Sequence, residues 1–308
     1  MQTSLAIVLP LFALILTGFV FVRARLLGTD GVKGIGAFVF NLAVPALLFR
    51  SMATGLPQDG AGLGVVYVYY LGAAIVFALT MLIGRIGFGL DLAQQALMAI
   101  TATFSNAVLI GIPLVFAAFG REGQIAVLLI TSLHSAIFVT IATVLVEIGR
   151  GAGAQPLAIL RSVAANPLLL SVLAGAAWGL TGWELAAPLD TFTHLLAGAA
   201  APAALFALGA TLALFPVGGA AQDIATITVL KMVVHPALVW FLAHSVFGLA
   251  RTETAVAVII AALPSGVNPF ILAQRYGIYV QRTASSVVVT TALAVVTAAL
   301  LLAWFVPA

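Results

Sequence analysis

Long apolar runs, separated by short polar or Gly/Pro turns, set the pattern of this chain. They fall at 4–22, 31–52, 62–84, 93–119, 123–148, 157–180, 187–214, 222–248, 253–276 and 282–306. A helix that crosses the hydrocarbon of a bilayer needs about 20 mostly apolar residues. Barrel strands would instead alternate apolar and polar residues over about ten positions. These runs are apolar on every side, so they predict an all-α integral membrane protein with ten transmembrane helices. No loop between them is long enough to hold a soluble domain.

Composition agrees. Hydrophobic residues make up 63% of the chain and charged residues 7%, against roughly 45–50% and about 25% in soluble domains. Too few charges remain to cover a water-facing surface, so lipid is the expected solvent. Inside lipid only helices and closed barrels satisfy their backbone. The net charge of +3 is spread over dispersed basic residues and points to no nucleic-acid partner. Cysteine is absent, which excludes disulfides, thiol chemistry and Cys-based metal sites. Met1-Gln2-Thr3-Ser4 carries no basic n-region and no A-x-A site follows, so it reads as the start of the first helix. Arg23, Arg25, Lys33, Arg85, Arg150, Arg161, Arg275 and Arg282 fall in odd-numbered loops; Arg50, Arg121 and Arg251 fall in even-numbered ones. The bias places the odd loops in the cytoplasm and both termini outside it. A bacterial inner (plasma) membrane is the expected location.

An internal repeat appears at an offset of 157 residues, which pairs Pro10 with Pro167 and Gly18 with Gly175. Pro45-Ala46-x-Leu48-Phe49 matches Pro202-Ala203-x-Leu205-Phe206, and Phe119-Gly120-x-x-x-Gln124 matches Tyr276-Gly277-x-x-x-Gln281. Pro113 pairs with Pro269 after a one-residue slip. The order of matches divides the chain into halves, 1–150 and 151–308. Five helices in each half is an odd number, so the halves enter the membrane in opposite directions. Inverted repeats of this kind build many secondary transporters.

Segments four and nine interrupt themselves at corresponding places. Segment four carries Ser105-Asn106 and then Gly111-Ile112-Pro113; segment nine carries Pro264-Ser265-Gly266-Val267-Asn268-Pro269. Proline removes a backbone donor and clashes with the preceding turn, and glycine lets the chain leave helical geometry. Each stretch is expected to break its helix near mid-span. A broken helix offers N–H groups to anions at one half-helix start and carbonyls to cations at the other half's end. Such groups are costly in hydrocarbon unless capped or lining a cavity. Ser105, Asn106, Gly111, Pro113, Ser265, Gly266, Asn268 and Pro269 are therefore the candidate substrate-binding set. The competing reading is a pair of proline kinks packed against neighbours.

Other polar residues lie within the apolar runs. Lys231 and His235 are four apart on segment eight, on one helix face, with Pro236 bending the helix beyond them. Either could compensate substrate charge or take part in coupling; Lys231 could instead snorkel to an interface. His134 in segment five could relay protons or hydrogen-bond across helices. Ser105, Thr131 and Ser132 could offer oxygens to Na⁺. Asn41 could line the substrate path or hydrogen-bond between helices. Asn166 reads as a cap for segment six, and His194 and His244 as structural. No H-E-x-x-H, G-x-S-x-G or P-loop is present, so neither an enzyme, a resident metal, a cofactor nor internal ATP hydrolysis is expected.

At these motifs the chain resembles the auxin efflux carrier family, which includes plant PIN-type auxin carriers and bacterial malate and malonate permeases. The resemblance rests on Asn106-Ala-Val-Leu-Ile-Gly-Ile-Pro113-Leu, on Ala262-Leu-Pro-Ser-Gly-Val-Asn-Pro269-Phe with Ala273-Gln-Arg-Tyr276, and on Val44-Pro45-Ala-Leu-Leu-Phe49. Asn166-Pro167-Leu and Lys231-Met-Val-Val-His235-Pro236 also fit. It implies ten helices with outward termini and a scaffold from helices 1, 2, 6 and 7. A transport domain from helices 3–5 and 8–10 and a substrate site where helices 4 and 9 cross are also implied. Carried over by motif, Asn106 is the polar substrate contact, with Pro113 and Pro269 at the crossover. The long cytoplasmic loop of many plant carriers is absent; the link near 149–156 is short. That difference favours a bacterial-type carrier over auxin transport.

The expected function is thus alternating-access transport of a small organic anion, a mono- or dicarboxylate such as malate or malonate. An H⁺, Na⁺ or substrate gradient would drive it. A homodimer is compatible with this plan. Two other classes stay open from sequence: a passive channel or facilitator, and a membrane sensor that binds without transporting.

Overall fold

The structure is a computed structural model that describes residues 2–55, 63–151, 165 and 167–306. Every regular element among the described residues is helical. The first segment is α1 (Gln2–Arg23), and the second runs through α2 (Thr29–Phe38), a π-helical stretch Val39–Ala43 and α3 (Val44–Gly55). Then come α4 (Leu63–Phe88), α5 (Leu92–Thr103), a π-helical stretch Ala107–Gly111 and α6 (Ile112–Gly149), which is kinked at Gly120. The second half opens with α7 (Pro167–Thr181) and α8 (Ala187–Leu212). It continues through α9 (Ala221–Val229), π-helical Leu230–Val234, α10 (His235–Trp240) and π-helical Phe241–Val246. It closes with α11 (Arg251–Ala262), α12 (Asn268–Tyr276) and α13 (Val280–Phe305).

Among the described residues, 7 helices are long and apolar enough to cross a membrane, and Ala107–Gly120 and Pro167–Thr181 are shorter apolar helices. The protein is therefore an integral membrane protein whose described regular elements are all helical. Large apolar side chains such as Leu9, Leu16, Leu173, Leu195, Leu300 and Trp304 face outward, as a lipid solvent requires. The sixth expected segment is described only from Pro167; Asn166 and the stretch before Ala165 lie outside the described residues.

Three prolines share one local solution. Pro45, Pro113 and Pro236 each stand two residues past the end of a π-helical stretch. A proline ring collides with the carbonyl four residues back and supplies no N–H. Adding one residue to the preceding turn widens the helix and re-routes those carbonyls to donors five residues on. Gly111 N–H accordingly donates to Asn106 O at 3.2 Å. Pro113 thus stands in its segment without ending it. The expectation that Gly111-Ile112-Pro113 itself would break segment four is corrected: the helix is lost earlier, at 104–106.

The helices sort into two groups by packing. In one, α1 packs along α8, and α3 along α7 and α8. In the other, α4, α5, α6 and α9–α13 pack mainly on one another. The first group is held by backbone-to-backbone approach at glycines. A β-carbon on Gly18 of α1 would collide with the Phe206 carbonyl of α8, and one on Gly175 of α7 with the Phe49 carbonyl of α3. Gly209 meets the Ile15 carbonyl in the same way. Small residues at such crossings let helices gain dispersion contacts that lipid cannot outcompete. Arg50 of α3 and Asp190 of α8 add an ion pair to this group. In the second group, buried Asp223 accepts from the Tyr279 hydroxyl at 2.7 Å and pairs with Arg282 at 2.9 Å. Tyr276 donates to Glu147 at 2.6 Å.

Candidate functional site

The two interrupted segments meet at their breaks. α5 stops where Phe104 turns extended, at φ −72° and ψ 107°. α11 stops where Leu263 does the same, at φ −60° and ψ 154°. Leu263 precedes Pro264, which disfavours helical geometry in its neighbour. Phe104 has no such local cause; its partner segment holds it. Asn106 N–H donates to the Pro264 carbonyl at 2.9 Å, and Gly266 N–H to the Phe104 carbonyl at 2.9 Å. Ser105 and Ser265 therefore face each other in a single antiparallel bridge. Gly266 is needed there, because a β-carbon would press on the Phe104 ring at 2.6 Å.

The bridge leaves the two serine N–H groups pointing away from it, and each finds a side chain. Ser105 N–H donates to His134 Nε2 of α6 at 3.0 Å, and Ser265 N–H to Thr290 Oγ1 of α13 at 3.1 Å. Accepting at Nε2 makes His134 the neutral tautomer with its proton on Nδ1. Across the chain His134 and Thr290 stand one residue off the offset of 157. His134 thus hydrogen-bonds across helices, one of the two sequence-based readings. An unpaired buried N–H costs about 1–3 kcal/mol. Thr290→Val should therefore lower the melting temperature in detergent by several degrees, while Thr290→Ser should leave it near the parent. Equal melting of all three proteins would remove Thr290 from the bridge.

Lys231 is completely buried, which overturns the snorkelling reading. Its Nζ donates to Ser105 Oγ at 2.8 Å and to the Ala261 carbonyl at the end of α11. His235 Nδ1 lies 3.5 Å away, and Tyr69 of α4 donates to the same Ser105 Oγ at 3.1 Å. Sequence reasoning missed Tyr69, Thr290 and the Ala261 carbonyl. A mid-span tyrosine and a threonine near the repeat partner of His134 were the available signals; a backbone carbonyl carries none.

Asn106 is 4% exposed. Its N–H is used in the bridge and its carbonyl accepts from Ile110 and Gly111. Its side-chain Nδ2 is buried with no partner. The half-helix starting at Ala107 also opens on N–H groups that no residue within that helix accepts. Asn268 Nδ2 reaches Ser135 Oγ at 3.3 Å. Gly111 packs its backbone against Ile260 and Leu263 of the other broken segment.

Other expected residues are not brought to this point. Asn41 is exposed and donates to the Ala37 carbonyl of its own helix at 2.9 Å. Thr131 and Ser132 donate to Val127 and Leu129 carbonyls on their own helix. Ser105, Thr131 and Ser132 thus share no common hydrogen-bonded centre. Among the described residues no group of His, Asp or Glu is placed to hold a metal. His194 and His244 are exposed, the latter stacked on Trp240 at 5.3 Å between ring centres.

Comparison with known proteins decides the class. Residues 3–302 match the family model described as membrane transport protein. The chain belongs to the auxin efflux carrier family. It is 32% identical over 298 residues to a Rhizobium meliloti (strain 1021) protein named "Putative malonate transporter", covering 94% of this chain and 92% of that one. It is 24% identical over 343 residues to auxin efflux carrier component 8 of Arabidopsis thaliana, covering 91% of each. An uncharacterized transporter of Methanothermobacter thermautotrophicus is 24% identical over 296 residues, with 94% of both chains covered. Like these relatives, this member of the auxin efflux carrier family is a membrane transporter.

Proposed function

We propose that this carrier moves a small organic anion, a mono- or dicarboxylate of the malonate or malate type, by alternating access. The observation that carries the reading is the unpartnered Asn106 amide buried at the bridge. A donor left without an acceptor in a protein interior is costly, and a carboxylate oxygen would satisfy it. The adjoining N–H groups at the Ala107 half-helix start favour a negative charge at the same place. Ser265, Gly266, Asn268, Gly111, Pro113 and Pro269 shape the crossing around it. Asn41 is left out of the proposed site.

The moving parts follow from the packing. The ten-segment, inverted-repeat plan is supported by reciprocal contacts: Gly18 against Phe206 and Gly175 against Phe49 exchange under the same offset of 157 residues. Gly120 and Gly277 also share that offset, and both carry positive φ, at 53° and 67°. We assign α1–α3, α7 and α8 to the scaffold and the remaining helices, with the crossing, to the transport domain. Both termini lie on the extracytoplasmic side, as the basic residues suggest.

Counterflow in proteoliposomes tests the function. Vesicles preloaded with unlabelled malonate or malate should transiently accumulate labelled substrate, with auxin as a third arm. A channel would equilibrate label without overshoot, and a sensor would bind without flux. Absence of overshoot with every short carboxylate offered would sink the proposal.

A further inference from the structure

The two breaks are near copies, and where they differ a lysine has been inserted. Residues 101 and 105 of one segment stand to residues 261 and 265 of the other at the single offset given by the Ser105–Ser265 bridge. Each half-helix ends on carbonyls that its own helix cannot satisfy. In one copy the answer is neutral: Ser265 Oγ donates to the Thr101 carbonyl at 2.7 Å. In the other, the equivalent bond from Ser105 to Ala261 is replaced. Lys231 Nζ enters between them, donating to Ser105 Oγ at 2.8 Å and to the Ala261 carbonyl.

Among the described residues, Lys231 Nζ meets the carbonyl end of a half-helix and no carboxylate. A half-helix C-terminus carries partial negative charge. The nearby titratable groups are His235, His134 and Tyr69, and among the described residues Lys231 has no carboxylate in an ion pair. A main-chain carbonyl at a helix break plus a serine hydroxyl is also an oxygen set that hard alkali cations take. Lys231 reaches it from a different segment, through the π-helical stretch Leu230–Val234.

We propose that Lys231 is a tethered cation occupying what would otherwise be an alkali-ion site at the crossing, so that this carrier compensates its anionic substrate without bound Na⁺. The inference deepens the anion-carrier reading and rests on it for the role of the charge. The occupancy of the site by an ammonium in place of Na⁺ is a separate matter of binding.

Purified protein is melted in detergent with NaCl, KCl or choline chloride at equal ionic strength. The parent should melt alike in all three. Lys231→Ser opens the site and should gain about 2 °C or more in NaCl over choline, since a bound ion stabilises only the folded state. Lys231→Met fills the volume without offering room and should show no such gain. In proteoliposomes, parent uptake of malonate should be unchanged when choline replaces Na⁺. Lys231→Ser uptake should fall at least 10-fold in choline and recover in part with Na⁺. A Na⁺-specific rise in parent melting or uptake overturns the proposal even if neither variant folds. A folded Lys231→Ser protein blind to Na⁺ overturns it as well. No uptake of any anion by the parent defeats the anion-carrier reading alone, because the melting comparison needs no substrate.

Discussion

Asn106→Ala should leave a well-folded protein that has lost most of its transport. The side-chain Nδ2 makes no hydrogen bond within the protein, so its removal breaks nothing that holds the crossing together. The bridge uses the main chain of Asn106, and alanine keeps it. Removing an unsatisfied buried donor even relieves a penalty, and melting in detergent should hold or rise slightly. A hydrogen bond to a charged carboxylate, by contrast, contributes about 1.5–3 kcal/mol. That converts to about a 10- to 100-fold loss in apparent affinity or in uptake at low substrate. Counterflow with labelled malonate, read beside the melting curve, separates the two effects. Asn106→Asp should lose at least as much, because it sets a negative charge against an anion. Full uptake by Asn106→Ala would remove the crossing from the substrate path.

Gly209→Leu should act in the opposite manner, on assembly before transport. Gly209 lies on α8 where the Ile15 carbonyl of α1 comes closest, and Gly18 of α1 sits against Phe206 one turn along. The obstacle at both positions is backbone, which cannot rotate aside. Overpacking usually costs about 1–3 kcal/mol and more where no side chain can yield. The α1–α8 crossing would have to separate along its length, and dispersion contacts fall steeply with distance. We expect low yield of monodisperse protein and a melting temperature lower by well over 5 °C, a larger shift than the about 2–4 °C that 1 kcal/mol gives in a mid-sized domain. Gly209→Ala should fall between parent and Leu. Gly198 on the same helix has open space around it, so Gly198→Leu is the matched control and should behave as the parent. Equal behaviour of Gly209→Leu and Gly198→Leu would show that the close crossing does not hold the helices together.

Much of the architecture could be read from residue order, because lipid imposes a simple rule. Apolar runs long enough to span a bilayer become helices, since hydrocarbon leaves the backbone no other partner. The observed helices follow those runs to within a few residues at most ends, as at Ala187–Leu212 against 187–214 and Val280–Phe305 against 282–306. The second break was legible too: Pro264 pushes Leu263 out of the helix, and Gly266 admits the Phe104 ring. Segment four misled, because its visible breakers, Gly111 and Pro113, are absorbed by a π-helical turn. Its true break, Phe104-Ser105-Asn106, contains neither residue type.

The same division holds at the site. Polar side chains in apolar runs announce themselves one at a time, so Ser105, Asn106, Lys231 and His134 could be nominated singly from their cost in hydrocarbon. Their partners could not. That His134 caps Ser105, that Thr290 caps Ser265, and that Lys231 enters between Ser105 and Ala261 depends on helices far apart in sequence. By itself the sequence determined the solvent, the helical character of the spans and the identity of the costly residues, all of which follow from local composition and covalent geometry. Only the tertiary structure decided where segment four breaks and which carbonyl receives the lysine. Those outcomes are bought by hydrogen bonds between segments, and no stretch of chain taken alone contains them.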